Sequence, residues 1–129
     1  MRLRPLRQPQ WEVTDLKEVA PTPIYYDSEA DELQIFSVAP REVTGTYMFD
    51  GISSKTFKYS DALTHSRTKL MEEISKDGYN FLLMEGWSIT TMRKSKVERI
   101  EVRYHAQPAV ARGWQRPRTP PYLQLLESH

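Results

Sequence analysis

Between Tyr59 and Val110 the spacing of apolar residues changes from three and four to two, and this change of period constrains the fold more than any other feature of the chain. Tyr59, Leu63, Ser66, Leu70 and Ile74, with Met71 beside them, make one stripe at helical spacing, while Asp61, His65, Lys69, Glu72 and Lys76 fall on other faces. The pattern predicts a helix over residues 60–76, started by Ser60 with Asp61 and stopped at Asp77-Gly78, where glycine takes the left-handed conformation at no steric cost. Three strands follow, near residues 80–85, 87–92 and 96–106. An amphipathic helix feeding consecutive strands is a helix lying on a mainly antiparallel sheet.

Proline sets the expected limits of the regular core. Pro5, Pro9, Pro21, Pro23 and Pro40 precede residue 41, and Pro108, Pro117, Pro120 and Pro121 follow residue 107. Proline donates no ladder hydrogen bond, so residues 1–23 and 108–129 read as Pro/Arg arms around an α+β domain at 24–107. Within that domain, residues 24–26 and 33–39 flank an acidic turn at 27–32, and the second of these segments alternates poorly enough to be buried on both faces. Residues 43–49 place Val43, Gly45, Tyr47 and Phe49 on one side and Thr44, Thr46 and Met48 on the other, with Asp50-Gly51 as the following turn. The sum is a sheet of about five or six strands with one long helix across one face.

The chain's 129 residues, 39% of them apolar, suffice for one core. No apolar run is long enough to span a bilayer, and the first ten residues carry Arg2, Arg4 and Arg7 without an apolar stretch behind them, so neither a membrane anchor nor a cleaved leader is expected. The absence of cysteine removes disulfides, thiol catalysis and thiolate metal sites, and fits a cytoplasmic or nuclear protein. The net charge of +1 conceals basic ends around an acidic segment: residues 11–50 hold Lys17 and Arg41 against nine acids.

Within the strands, Phe81-Leu-Leu-Met84 has no polar face and reads as covered on both sides. If Arg93-Lys-Ser-Lys96 forms a hairpin turn with Met92 facing Val97, Trp87 and Ile89 share the core face with Ile100, Val102 and Tyr104, and Arg99, Glu101, Arg103 and His105 line the other. On that register Glu85 faces Tyr104, a carboxyl group in an apolar setting with a phenol for a partner, and these two are the candidate catalytic residues. A bulge at Gly86 would reverse the parity and expose Glu85. Trp87, Tyr47, Arg99, Arg103 and His105 are the candidate ligand-binding residues; two guanidiniums about 7 Å apart along a strand can fork onto carboxylates or phosphates, and the alternative is a solvated outer face with Glu101 as neutraliser.

His65, His105 and His129 lack ligand spacing, and Asp61 with His65 would hold a divalent ion only weakly, so no metal is expected. No GxSxG, GxGxxG or GxxxxGK[ST] motif occurs, which disfavours hydrolase, dinucleotide and P-loop readings, and no cofactor is implied. Arg112, Trp114, Arg116 and Arg118 combine cations with aromatic and proline residues, a composition that suits RNA or DNA but equally packing against the domain or a sister subunit.

Ala62, Arg67, Leu70, Glu73 and Gly78-Tyr79-Asn80, followed by the apolar run 81–84, resemble the helix-to-strand passage of the YbjQ-like family. The likeness covers about a quarter of the chain; Glu85-Gly86-Trp87, the turn at 93–96 and both arms depart from it. It implies a small α+β subunit assembled into a ring through its sheets, and carries over no catalytic residue. The leading expectation is therefore a non-catalytic binding or assembly module, homo-oligomeric or joined to another protein. The alternatives are a small-molecule binder or enzyme with a helix–sheet pocket at Glu85 and Tyr104, and a weak RNA or DNA binder working through its basic aromatic arms.

Overall fold

The structure, a computed structural model, describes residues 10–23, 34–51, 57–113 and 118–123. Its elements run β1 (Glu12–Pro23), β2 (Gln34–Val38), β3 (Val43–Asp50), α1 (Tyr59–Ser75), β4 (Phe81–Lys94) and β5 (Val97–Arg112). All five strands form one antiparallel sheet in which β4 lies between β1 and β5. The far edge of β5 is shared: β3 pairs with its residues 99–106 and β2 with its residues 109–112. Because β2 and β3 run in the same direction and Ala39 N–H still reaches the Pro108 carbonyl at 2.8 Å, they amount to one edge strand broken at Pro40.

The expected α+β architecture, an antiparallel sheet with one helix on one face, is what is found. Leu63, Leu70 and Ile74 of α1 pack with Trp87, Ile89, Ile100, Val102 and Tyr104, all buried, to form the main core. Each large aliphatic side chain so buried stabilises the fold by about 1.5–3 kcal/mol. The helix ends as its sequence predicts: Gly78 has φ +88°, Gly78 N–H bonds the Ser75 carbonyl and Tyr79 N–H the Ile74 carbonyl, the Schellman arrangement. Its start differs. The residue ahead of the first turn is Lys58, with no side-chain cap; the ion pairs along the exposed side are Lys69–Glu72 and Glu73–Lys76, at i,i+3 in place of the i,i+4 pairs Lys69–Glu73 and Glu72–Lys76 that the spacing allows.

Proline did not limit the strands. Residues 12–23, expected in an arm, form edge strand β1, with Pro21 in a bulge between Val19 and Thr22. β5 continues through Pro108 to Arg112, and the register of β4 against β5 shifts between Leu82 and Met84, opposite Pro108 and Gln107. An irregular ladder is where a residue without an N–H costs least. The two strands expected on either side of Gly86 are one, β4. Gly86 is needed for another reason: a Cβ there would meet Pro21 N, Val19 O and Ala20 C at 2.5–2.8 Å, so it makes room for the β1 bulge.

Strand β2, expected to be buried on both faces, is exposed along its whole length because the helix lies on β3 and β5. Residues 24–33, 1–9, 114–117 and 124–129, which hold the acidic turn, parts of both arms and His129, lie outside the described residues. Among the described residues no helix is long and apolar enough to cross a membrane.

Candidate functional site

The β4–β5 turn is tighter than the four residues expected. Lys94 pairs with Val97, leaving Ser95-Lys96 as the loop, with Ser95 at φ +57°. Two-residue loops match the twist of paired strands. The register therefore moves by two residues, so that Trp87 faces Tyr104 and Glu85 faces Ala106, but a shift of two keeps every side chain on its face.

Glu85 is fully buried beneath the helix. The Tyr104 hydroxyl reaches it diagonally and donates to Oε1 at 2.6 Å, while Arg67 of α1 donates from Nε to Oε1 at 2.6 Å and from Nη2 to Oε2 at 3.2 Å. Burial, reinforced by the charge of Glu85 and by their hydrogen bond, raises the pKa of Tyr104 despite the opposing charge of Arg67, so the phenol keeps its proton. Burial works against the charge of Arg67, but Glu85 outweighs it and the guanidinium is held more firmly cationic. Three donors on one carboxylate, two of them in a fork, fix the helix to the sheet. The spacing of Glu85 and Tyr104 could be read from the strand pattern. Arg67 was missed as their partner, although its position on the helix between Leu63 and Leu70 places it at the border of the apolar stripe.

The remaining candidate residues divide between the two faces of the sheet. Trp87 lies beneath the helix side, buried, with Nε1–H donating to the Pro121 carbonyl at 2.8 Å, so a turn near the end of the chain covers it. Tyr47, on the same face, lies over Gly45, where a Cβ would run into the phenol oxygen. Burial, then the charges of Glu73 and Glu72, raise its pKa.

Arg99, Glu101, Arg103 and His105 are on the open face, as the alternation predicts. Arg99 stacks 3.7 Å from the Trp11 ring centroid and pairs with Asp50 at 3.0 Å. Arg103 Nε bonds Glu101 at 2.7 Å, and His105 Nδ1 lies 2.9 Å from the Thr44 hydroxyl. Arg112 stacks on Phe36 and Arg118 on Phe81, cation to aromatic ring within the chain, whereas Trp114 and Arg116 lie outside the described residues. His65 meets the edge of Phe49 with ring centroids 5.8 Å apart. No group of three or more His, Asp or Glu that could hold a metal ion occurs among the described residues.

Large apolar side chains are exposed on both edge strands, Val13 and Leu16 on β1 and a run of three within five residues on β2. Ile35, Phe36 and Val38 are 38%, 56% and 42% exposed, and the outer edge of the strand has no ladder partner among the described residues. Compared with protein-family models, with curated proteins and with solved structures, the chain matches none.

Proposed function

We propose that this chain is a non-catalytic binding and assembly module, and that it works as a homo-oligomer whose copies join along β2, in the cytoplasm or nucleus. The observation that carries the reading is the exposed Ile35-Phe36-Ser37-Val38 edge. An edge strand offers free N–H and C=O groups, and natural proteins shield such edges with charge, proline or a covering element. Here the strand itself carries three large apolar side chains and no charge. Antiparallel pairing with the same strand of a second copy satisfies the backbone groups and removes those side chains from water, and a two-fold axis makes the contact self-complementary. The YbjQ-like resemblance points the same way, toward subunits joined through their sheets. The buried Glu85 favours this reading over a helix–sheet pocket, since both carboxylate oxygens are already engaged.

Native mass spectrometry of the wild type and of Phe36→Lys tests the proposal. The wild type should appear as a defined oligomer, and Phe36→Lys should dissociate to monomer with its circular dichroism unchanged, because a lysine on each copy would bring like charges together across the axis. A monomeric wild type, or an oligomer indifferent to the substitution, would count against β2 as the joint.

A further inference from the structure

The open face carries a second constructed feature, separate from β2. At the β1 bulge, Val19, Ala20 and Pro21 rise beside β4 and β5 and wall a groove of about 580 Å³, whose polar lining is Glu18, Ser88, Arg103 and His105. This volume falls within the range of small-molecule sites. The strand register explains how the groove is furnished. Glu18 pairs with Ser88 and Ser88 with Arg103, so the short serine lies between two longer charged side chains, and His105 is two residues along β5 on the same face.

The hydrogen bonding orients the donors. Glu101 takes Arg103 Nε, which leaves the Nη groups of the guanidinium for a ligand. The Thr44 hydroxyl lies 2.9 Å from His105 Nδ1, and in the tautomer in which it donates to that nitrogen the ring proton is on Nε2, which is then a donor. Arg103, His105 and Ser88 then supply three kinds of donor to the lining of one groove, a set that suits an oxyanion. Glu18, which makes no ion pair among the described residues, and Glu101 limit the negative charge that can enter. Ala20 and Pro21 offer an apolar surface beside the donors, while the Val19 side chain packs against the core beneath the helix.

We infer that this groove binds a small monocarboxylate with a compact apolar body, its carboxylate on Arg103, His105 and Ser88 and its body along Ala20 and Pro21. The two nearby acids select a single charge over the double charge of a phosphate.

Butyrate and inorganic phosphate, titrated separately into the isotope-labelled full chain, test the assignment by amide nuclear magnetic resonance. Butyrate should give saturating shifts at Ala20, Ser88 and His105 and bind at least about fivefold more tightly than phosphate. Arg103→Gln should abolish the response, while Arg99→Gln, on the same face but paired with Asp50 and Trp11, should keep it. Glu18→Gln should narrow the preference by admitting phosphate. Shifts that never saturate, or that persist in Arg103→Gln, overturn the site; phosphate binding as tightly as butyrate to the wild type overturns the carboxylate assignment.

Discussion

At Glu85 a charge that costs free energy to bury is held by partners from two elements. Desolvating a carboxylate and a guanidinium together costs several kcal/mol, and the attraction between them repays this only with good geometry and with the remaining lone pairs satisfied. The forked Arg67 contact and the Tyr104 hydroxyl meet both conditions. One consequence is a specific alkaline behaviour. The Tyr104 pKa is raised in the folded chain, while in the unfolded chain the phenol ionises near its ordinary value of about 10. The tyrosine therefore contributes fully below that pH, and its contribution is lost as the pH climbs above it, because the unfolded state then releases a proton that the folded state retains. Urea unfolding measured from about pH 10 to about pH 12 should show stability falling by up to about 1.4 kcal/mol per pH unit from this group. Tyr104→Phe should remove that part of the slope while leaving the smaller contribution from Tyr47, which has the same sign. A variant whose slope matches the wild type would mean that the hydroxyl is not buried against Glu85.

At the scale of elements, β1 and β4 fit through the absence of a side chain. Gly86 has its missing Cβ position occupied by backbone atoms of Val19, Ala20 and Pro21, and backbone cannot rotate away as a side-chain tip can. Gly86→Ala should therefore destabilise the protein by about 1–3 kcal/mol, read from thermal unfolding, through the displacement of β1. An unchanged melting temperature would show that the bulge yields freely. The same contact explains what could be read in advance and what could not. The change of period at residues 59–106, the face assignments of Glu85, Trp87, Arg99 and Tyr104, and the Gly78 stop all depend on local spacing, which sequence displays directly. The function of Gly86 depends on a bulge some 65 residues earlier in the chain, and no local pattern reports that pairing. The prolines misled for a related reason. Pro21 and Pro108 sit at irregularities in strands, and whether a ladder is irregular is decided by the partner strand. In the candidate groove, Arg103 and His105 were legible as one stripe, whereas its apolar wall comes from the misread N-terminal segment.

For the molecule as a whole, β5 is the strand on which the sheet depends. It pairs with β4 along one side and with β3 and β2 along the other, and it also carries much of the core beneath α1. β2 has no such support, being exposed on every residue. Amide hydrogen exchange should accordingly be slowest at Ile89, Ile100, Val102 and Tyr104 and fastest in β2, with β1 between, because local opening follows the burial that must be given up. Uniform protection across the five strands would contradict this gradient. The order of the chain adds a further consequence. β1, β2 and β3 are all synthesised before either of the strands with which they pair, and only the β4–β5 hairpin joins neighbours in sequence. On a ribosome β1 must therefore wait for β4, and β2 and β3 must wait, unpaired and with Ile35, Phe36 and Val38 in water, until β5 emerges. The interval before it does is when a nascent chain of this design has most need of a chaperone.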